Sequence, residues 1–64
     1  VPDYVQVFLS ELEQGLGDLD CRLVLVCRAG EVYKVFYYCL GVVNAVVVSD
    51  DVIRRFVERY IWGV

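Results

Sequence analysis

The chain has 64 residues, of which 59% are hydrophobic, and a formal net charge of −3. This length allows only one domain, residues 1–64, and a chain so short buries only about 60% of its unfolded surface. The acidic balance disfavours broad capture of nucleic-acid phosphates. The longest uncharged run, 35–49, is shorter than the roughly 20 residues of a membrane-spanning helix. We therefore expect a water-soluble, intracellular and cytoplasmic chain with more apolar side chains than one small core can hide.

The first predicted element is an α-helix that covers 3–14. Apolar residues recur at helical spacing and form one stripe, which consists of Val5, Phe8, Leu9, Leu12 and Leu16. Pro2 and Asp3 are typical of a helix start, and Gly15 and Gly17 are typical of a helix end. A polar turn over 17–20 should follow.

Two strands joined by a short turn are predicted next. The segments 21–28 and 31–40 alternate in the way that a β-strand does, and Ala29 and Gly30 suit a two-residue hairpin turn. This turn would place Arg28 opposite Glu31, a favourable pairing of opposite charges across strands. The same register would place Val26 opposite Tyr33.

The hairpin then has two faces. We predict that the first face packs on the helices, and it comprises Cys21, Leu23, Leu25, Cys27, Val32, Lys34, Phe36, Tyr38 and Leu40. The second face would stay free, and its apolar and aromatic centre consists of Val24, Val26, Tyr33, Val35 and Tyr37. A slip of one residue would exchange the two assignments.

A third strand over 42–48 and a second helix complete the predicted chain. Gly41 separates the strands, and the third strand is apolar on both sides apart from Asn44. Ser49 suits the N-cap of the last helix, and Asp50 and Asp51 complement its dipole. The apolar stripe of this helix comprises Val52, Ile53, Phe56, Val57, Tyr60 and Ile61, and Trp62 and Val64 follow as further apolar groups.

The order helix, strand, strand, strand, helix predicts a two-layer α+β fold with a three-stranded antiparallel meander and both helices on one face. In length and element order the chain resembles a double-stranded-RNA-binding domain. That resemblance implies a lysine-rich start of the last helix, which grips phosphates. Here Ser49, Asp50 and Asp51 occupy that position, and the two carboxylates would repel phosphate.

Catalysis and metal binding are disfavoured by the inventory of residues. The chain has no His, and its only aliphatic hydroxyl groups belong to Ser10 and Ser49. No nucleophile, base and orienting group are spaced as a catalytic set, so we expect no enzyme, no cofactor and no metal. Cys21, Cys27 and Cys39 lack the close pairs of a zinc site, so we interpret them as small buried hydrophobes, with an intermolecular disulfide as the alternative.

Two functions remain as hypotheses. The first is a non-catalytic interaction module that forms a homodimer, or docks on a larger protein, through Val24, Val26, Tyr33, Val35 and Tyr37. The alternative is binding of single-stranded RNA or DNA, with bases stacked on Tyr33 and Tyr37 and phosphates held by Arg22 and Arg28. The absence of Met and His and the preference for Arg over Lys hint at a heat-adapted or GC-rich source.

Overall fold

A computed structural model describes residues 3–63 of the chain. The elements follow the predicted order, namely α1 (Asp3–Asp18), β1 (Arg22–Ala29), β2 (Val32–Cys39), β3 (Val42–Ser49) and α2 (Asp50–Tyr60). The strands form one antiparallel sheet in the order β1-β2-β3. The predicted α+β meander is thus confirmed. The start signal read from Pro2 and the apolar group of Val64 lie outside the described residues.

Helix α1 ends later than its glycines suggested. It continues through Gly15 and Gly17 to Asp18, and Asp20 then adopts a left-handed φ of 59°. The Cys21 N–H donates to the Leu16 carbonyl at 2.8 Å, and the Asp20 N–H donates to the Gly17 carbonyl at 3.1 Å. These two bonds are those of a Schellman motif, in which Asp20 takes the position that glycine usually fills.

The first hairpin turn lies one residue further along the chain than predicted. Ala29 pairs with Val32, so the two-residue loop is Gly30 and Glu31, and Arg28 lies opposite Tyr33 instead of Glu31. Gly30 has a φ of 63°, which the first position of a type II′ turn requires. The predicted register was therefore wrong by two residues, because the glycine begins the turn instead of ending it.

Over β2 and the part of β1 after its bulge, the two faces of the sheet are the reverse of the prediction, whereas Cys21 and Leu23 lie on the helix side as predicted. Tyr33 is 4% exposed and Val35 is fully buried, so the face predicted to stay free is the one that packs on the helices. Lys34 lies on the other face of β2 and is exposed. The physical reason is the cost of burying an unpaired ammonium group, which a helix layer over Lys34 would impose.

Both helices pack on the Tyr33 side of the sheet. The core joins Val5 of α1, Tyr33 of β2, and Ile53 and Val57 of α2. Helix α2 begins as predicted, since the Ser49 hydroxyl oxygen accepts a hydrogen bond from the Val52 N–H at 3.2 Å. The molecule measures 36 × 27 × 15 Å, so its short axis spans only one layer of helices and one sheet. Neither helix within residues 3–63 is both long and apolar enough to cross a bilayer.

Candidate interaction surface

The side of the sheet away from the helices carries no covering layer within residues 3–63. We call this side the open face. The strand register groups its side chains into rows of three, and they are Arg22, Tyr38 and Val43; Leu25, Phe36 and Ala45; Cys27, Lys34 and Val47; and Ala29, Val32 and Ser49. Leu25 is 54% exposed, Val43 57% and Val47 61%. A contiguous apolar patch of this kind is often a functional surface.

The only formal charges of the open face are positive. Its cations belong to Arg22 and Lys34, and its twelve residues include no Asp or Glu. The Arg22 guanidinium carbon lies 5.3 Å from the centre of the Tyr38 ring. The Lys34 Nζ atom lies 5.4 Å from the centre of the Phe36 ring. Each cation therefore lies over an aromatic ring, where the ring quadrupole attracts it.

The residues predicted to form an interface do not make one surface. Tyr33 and Val35 lie in the core, and Val26 packs against it, so these three cannot meet another molecule in this fold. Tyr37 is half-buried on the same side, and Val24 is exposed at an irregularity of β1. The prediction that Tyr33 and Val35 lie at an interface was wrong, because this side of the sheet is the one that packs on the helices.

The residues predicted to contact nucleic acid are also separated. A bulge between Leu23 and Leu25 shifts the register of β1, so Arg22 pairs with Tyr38 while Arg28 pairs with Tyr33. Because neighbouring residues of a strand point to opposite faces, the two arginines lie on opposite sides of the sheet. The Arg28 Nε atom donates to the Gly30 carbonyl at 3.2 Å. With Tyr33 buried, the predicted stacking platform does not form.

The three cysteines differ in state. Cys21 and Cys39 form a disulfide with Cα atoms 4.5 Å apart, which lies within the usual range for disulfides. Cys27 is a free thiol and is exposed on the open face. The interpretation of all three as free buried hydrophobes was therefore wrong. The chain separation of 18 residues gave no signal of the pairing, which arises because the start of β1 lies beside the end of β2.

A hydrogen bond joins the first turns of the two helices. The Tyr4 hydroxyl donates to Asp50 Oδ2 at 2.6 Å. This bond to a carboxylate, followed by burial and by the nearby negative charge, raises the pKa of Tyr4 above its ordinary value of about 10. On the same helix, the Arg54 Nη2 atom donates to Asp51 Oδ1 at 2.8 Å.

A second apolar surface lies between the helices on the opposite side of the molecule. This groove has a volume of about 370 Å³, and it is lined by Phe8, Leu12, Leu16, Leu19 and Phe56, with Glu11 and Gly15 at its border. The Phe8 and Phe56 rings meet edge to face at 5.7 Å. The lining of this groove includes the carboxylate of Glu11, whereas the open face has no acidic residue.

The fold and this surface define a class, namely a two-layer α+β domain of order αβββα with one uncovered apolar sheet face. Comparison with protein-family models, with curated proteins and with solved structures found no match for the chain. Over residues 3–63 no group of three or more Cys, Asp or Glu side chains is placed to hold a metal ion. The open face is therefore the site on which a function can be argued.

Proposed function

We propose that this chain is a small non-catalytic interaction module that self-associates by packing the open face of one copy against the open face of another. The observation that carries this proposal is the exposure of Leu25, Val43 and Val47 on a sheet face without acidic residues. Two sheets pack about 10 Å apart, and alternate side chains of each fill the space between them. Two copies related by a two-fold axis would thus form a helix, sheet, sheet, helix sandwich.

The proposal also accounts for the aromatic residues of the face. Phe36 and Tyr38 lie on the central strand, and aromatic residues and arginine are enriched at protein interfaces. When two open faces meet, the Lys34 ammonium must leave the Phe36 ring and reach the rim, which its long aliphatic stem permits. A larger protein partner would use the same face, and the measured mass of the isolated chain separates the two cases.

The substitution Leu25→Glu tests the proposal, with Leu19→Glu as its matched control. Leu25 lies on the open face, whereas Leu19 is 71% exposed on the helix side and lines the groove. We expect the wild-type mass by sedimentation equilibrium to exceed 7.3 kDa increasingly with concentration. Leu25→Glu should weaken this association about 100-fold, since it buries an unpaired carboxylate, and Leu19→Glu should leave it unchanged.

The thiol of Cys27 gives a second readout, because it is the one free cysteine and lies on the open face. Its reaction with a thiol reagent should slow as the wild-type protein is concentrated, and should stay fast in Leu25→Glu. A wild-type mass that remains at one copy up to millimolar concentration would overturn self-association. An unchanged mass for Leu25→Glu would show that another surface is used.

Single-stranded nucleic acid remains the second candidate, now on the open face. The observation in its favour is the pairing of Phe36 with Lys34 and of Tyr38 with Arg22, since stacking platforms combine rings with cations. A titration with labelled oligonucleotides at low salt tests it, and Phe36→Ala should abolish any binding that uses this platform. Flat titrations of the wild type would dismiss this candidate.

We propose, finally, a compartment that keeps the Cys21–Cys39 disulfide oxidised. Disulfides persist in oxidising compartments and in the cytosol of hyperthermophiles, and are rare in other cytosols. The intracellular location predicted from the sequence therefore fits a heat-adapted source. Titration of free thiols in protein from the native source should find one thiol per chain, whereas three would exclude the disulfide there.

A further inference from the structure

The outer edge of β3 differs from the outer edge of β1. Strand β1 carries Arg22 and Arg28 and is broken by the bulge between Leu23 and Leu25. Strand β3 has no charged residue and no proline, and it keeps one regular register with β2 over all eight of its residues. Charges and bulges are the devices by which sheets block pairing at their edges. Only the β1 edge has them.

The register shows which backbone groups of β3 are free. The Asp50 N–H donates to the Glu31 carbonyl at 2.8 Å, which continues the ladder between β2 and β3. Hydrogen-bonded pairs alternate along an antiparallel ladder, so even-numbered residues of β3 bond to β2. The N–H and C=O groups of Val43, Ala45 and Val47 therefore point away from the sheet. Strand β3 lies at one end of the strand order and pairs with β2 alone, so no other strand within residues 3–63 bonds to these groups.

We infer that β3 pairs antiparallel with β3 of a second copy and so joins two sheets into one of six strands. A two-fold axis at Ala45 places Ala45 opposite itself and Val43 opposite Val47 of the second copy. This register pairs the outward backbone groups of Val43, Ala45 and Val47 of both strands. It also brings no charges of like sign together, because β3 carries none.

The area of the open face also supports pairing at β3. This step of the inference rests on the proposed packing of open faces. Eight residues extend about 26 Å and three strands about 14 Å, which gives a flat area of about 370 Å² for one copy. Two such faces bury less than the roughly 1,200 Å² of a standard stable interface. Pairing at β3 doubles the face, because the axis is perpendicular to the sheet and leaves all helices on one side. Two six-stranded sheets then meet, and the assembly closes at four copies.

The substitution Ala45→Pro tests the inference. Proline removes the outward N–H of Ala45 and is tolerated where an edge-strand N–H faces solvent, so the ladder with β2 should remain. The matched control is Ala45→Thr, which keeps the N–H and suits a strand. We expect four times 7.3 kDa for the concentrated wild type and for Ala45→Thr, and one copy for Ala45→Pro, measured by sedimentation equilibrium.

The two proposals fail in different ways. Leu25→Glu should not exceed two copies, because it blocks the open face and leaves only the β3 edge for pairing. If Ala45→Pro keeps the wild-type mass, pairing at β3 is overturned while packing of open faces stands. If Leu25→Glu keeps four copies and Ala45→Pro does not, packing of open faces is overturned and pairing at β3 is retained.

Hydrogen exchange gives a test that needs no variant and does not depend on the folding of Ala45→Pro. In the wild type, the amides of Val43, Ala45 and Val47 should exchange fast at low concentration and at least tenfold more slowly when concentrated. The outward amide of Arg28 on the β1 edge is the internal control and should stay fast at both concentrations. Equal exchange of the three β3 amides at low and high concentration, with the mass rising, would overturn the inference.

Discussion

Leu40 occupies a backbone conformation that suits other residues better. It begins the two-residue turn between β2 and β3 with a φ of 54°, and Gly41 follows with a φ of 79°. Positive φ at both positions defines a type I′ turn, for which Asn-Gly is a preferred pair. The Leu40 side chain is 94% exposed and gains nothing from burial. It was predicted to lie on the helix-covered face, but the turn takes it out of the strand.

Leu40→Asn should therefore stabilise the fold. We expect the free energy of unfolding to rise by about 0.5–1 kcal/mol, because Asn tolerates the left-handed region at less cost than a branched apolar residue. Urea unfolding of dilute protein measures the change. The control Leu40→Ala removes the same apolar group but keeps the conformational cost, so it should have little effect. A loss of stability in Leu40→Asn would mean that the Leu40 side chain makes contacts in the assembly.

Lys34 determines which side of the sheet packs on the helices. Both sides of the predicted hairpin were apolar, so alternation alone could not choose the side that packs on the helices. The single lysine lay at the centre of one side, and the cost of burying it was readable from the sequence. Greater weight on that charge would have identified Leu25, Phe36 and Val47 as members of the free face.

At the scale of the elements, the Tyr4 hydroxyl links α1 to α2 and makes their contact sensitive to alkali. The hydrogen bond to Asp50 raises the pKa of Tyr4 in the folded state. Above the unfolded pKa of about 10, the unfolded chain loses the Tyr4 proton first, so the stability contributed by this bond declines. The contribution is complete below pH 10 and is lost as the pH rises through the folded pKa.

Comparison of wild type with Tyr4→Phe isolates this effect, because the other tyrosines are common to both proteins. The free energy of unfolding of the wild type should fall more steeply between pH 9 and pH 11.5 than that of Tyr4→Phe. At neutral pH the variant should be the less stable protein. Parallel curves over this range would show that the Tyr4 hydroxyl does not hold the two helices together.

The helices and strands themselves were largely predictable, because their periodicities are strong. Ser49 at the start of α2 and Ile53 and Val57 in its buried stripe follow from local patterns. The end of α1 at Asp18 and the bulge in β1 did not, since Asp20 replaces the expected glycine and nothing local marks an extra residue in a strand. The bulge alone separates Arg22 from Arg28, so the nucleic-acid site predicted from their spacing could not form.

At the scale of the whole molecule, the sign of the salt dependence separates the two candidate functions. Open faces that meet bring Arg22 and Lys34 of one copy near those of another, and each copy also has a net charge of −3. Added salt screens this repulsion, so self-association should strengthen about threefold or more between 50 mM and 500 mM NaCl. Binding to nucleic acid would weaken steeply over the same range.

The substitution Lys34→Gln tests whether repulsion between the cations of the two copies opposes self-association. Removal of this cation should strengthen self-association and flatten its salt dependence, whereas Lys34→Arg should retain the wild-type behaviour. Sedimentation equilibrium at the two salt concentrations measures both. An association that weakens with salt, or that Lys34→Gln diminishes, would mean that attraction between opposite charges holds the copies together instead of the apolar surface.

The disulfide between Cys21 and Cys39 has a topological consequence for the sheet. It joins the beginning of β1 to the end of β2, and the Gly30 turn joins their other ends, so these two strands belong to one covalent ring. Strand β3 lies outside that ring, and Leu40 and Gly41 are the covalent link between β2 and β3, while its other attachment to the ring is the hydrogen-bonded ladder with β2. The disulfide thus constrains β1 and β2 but not β3. The unconstrained strand is the one at whose edge we place a neighbouring copy.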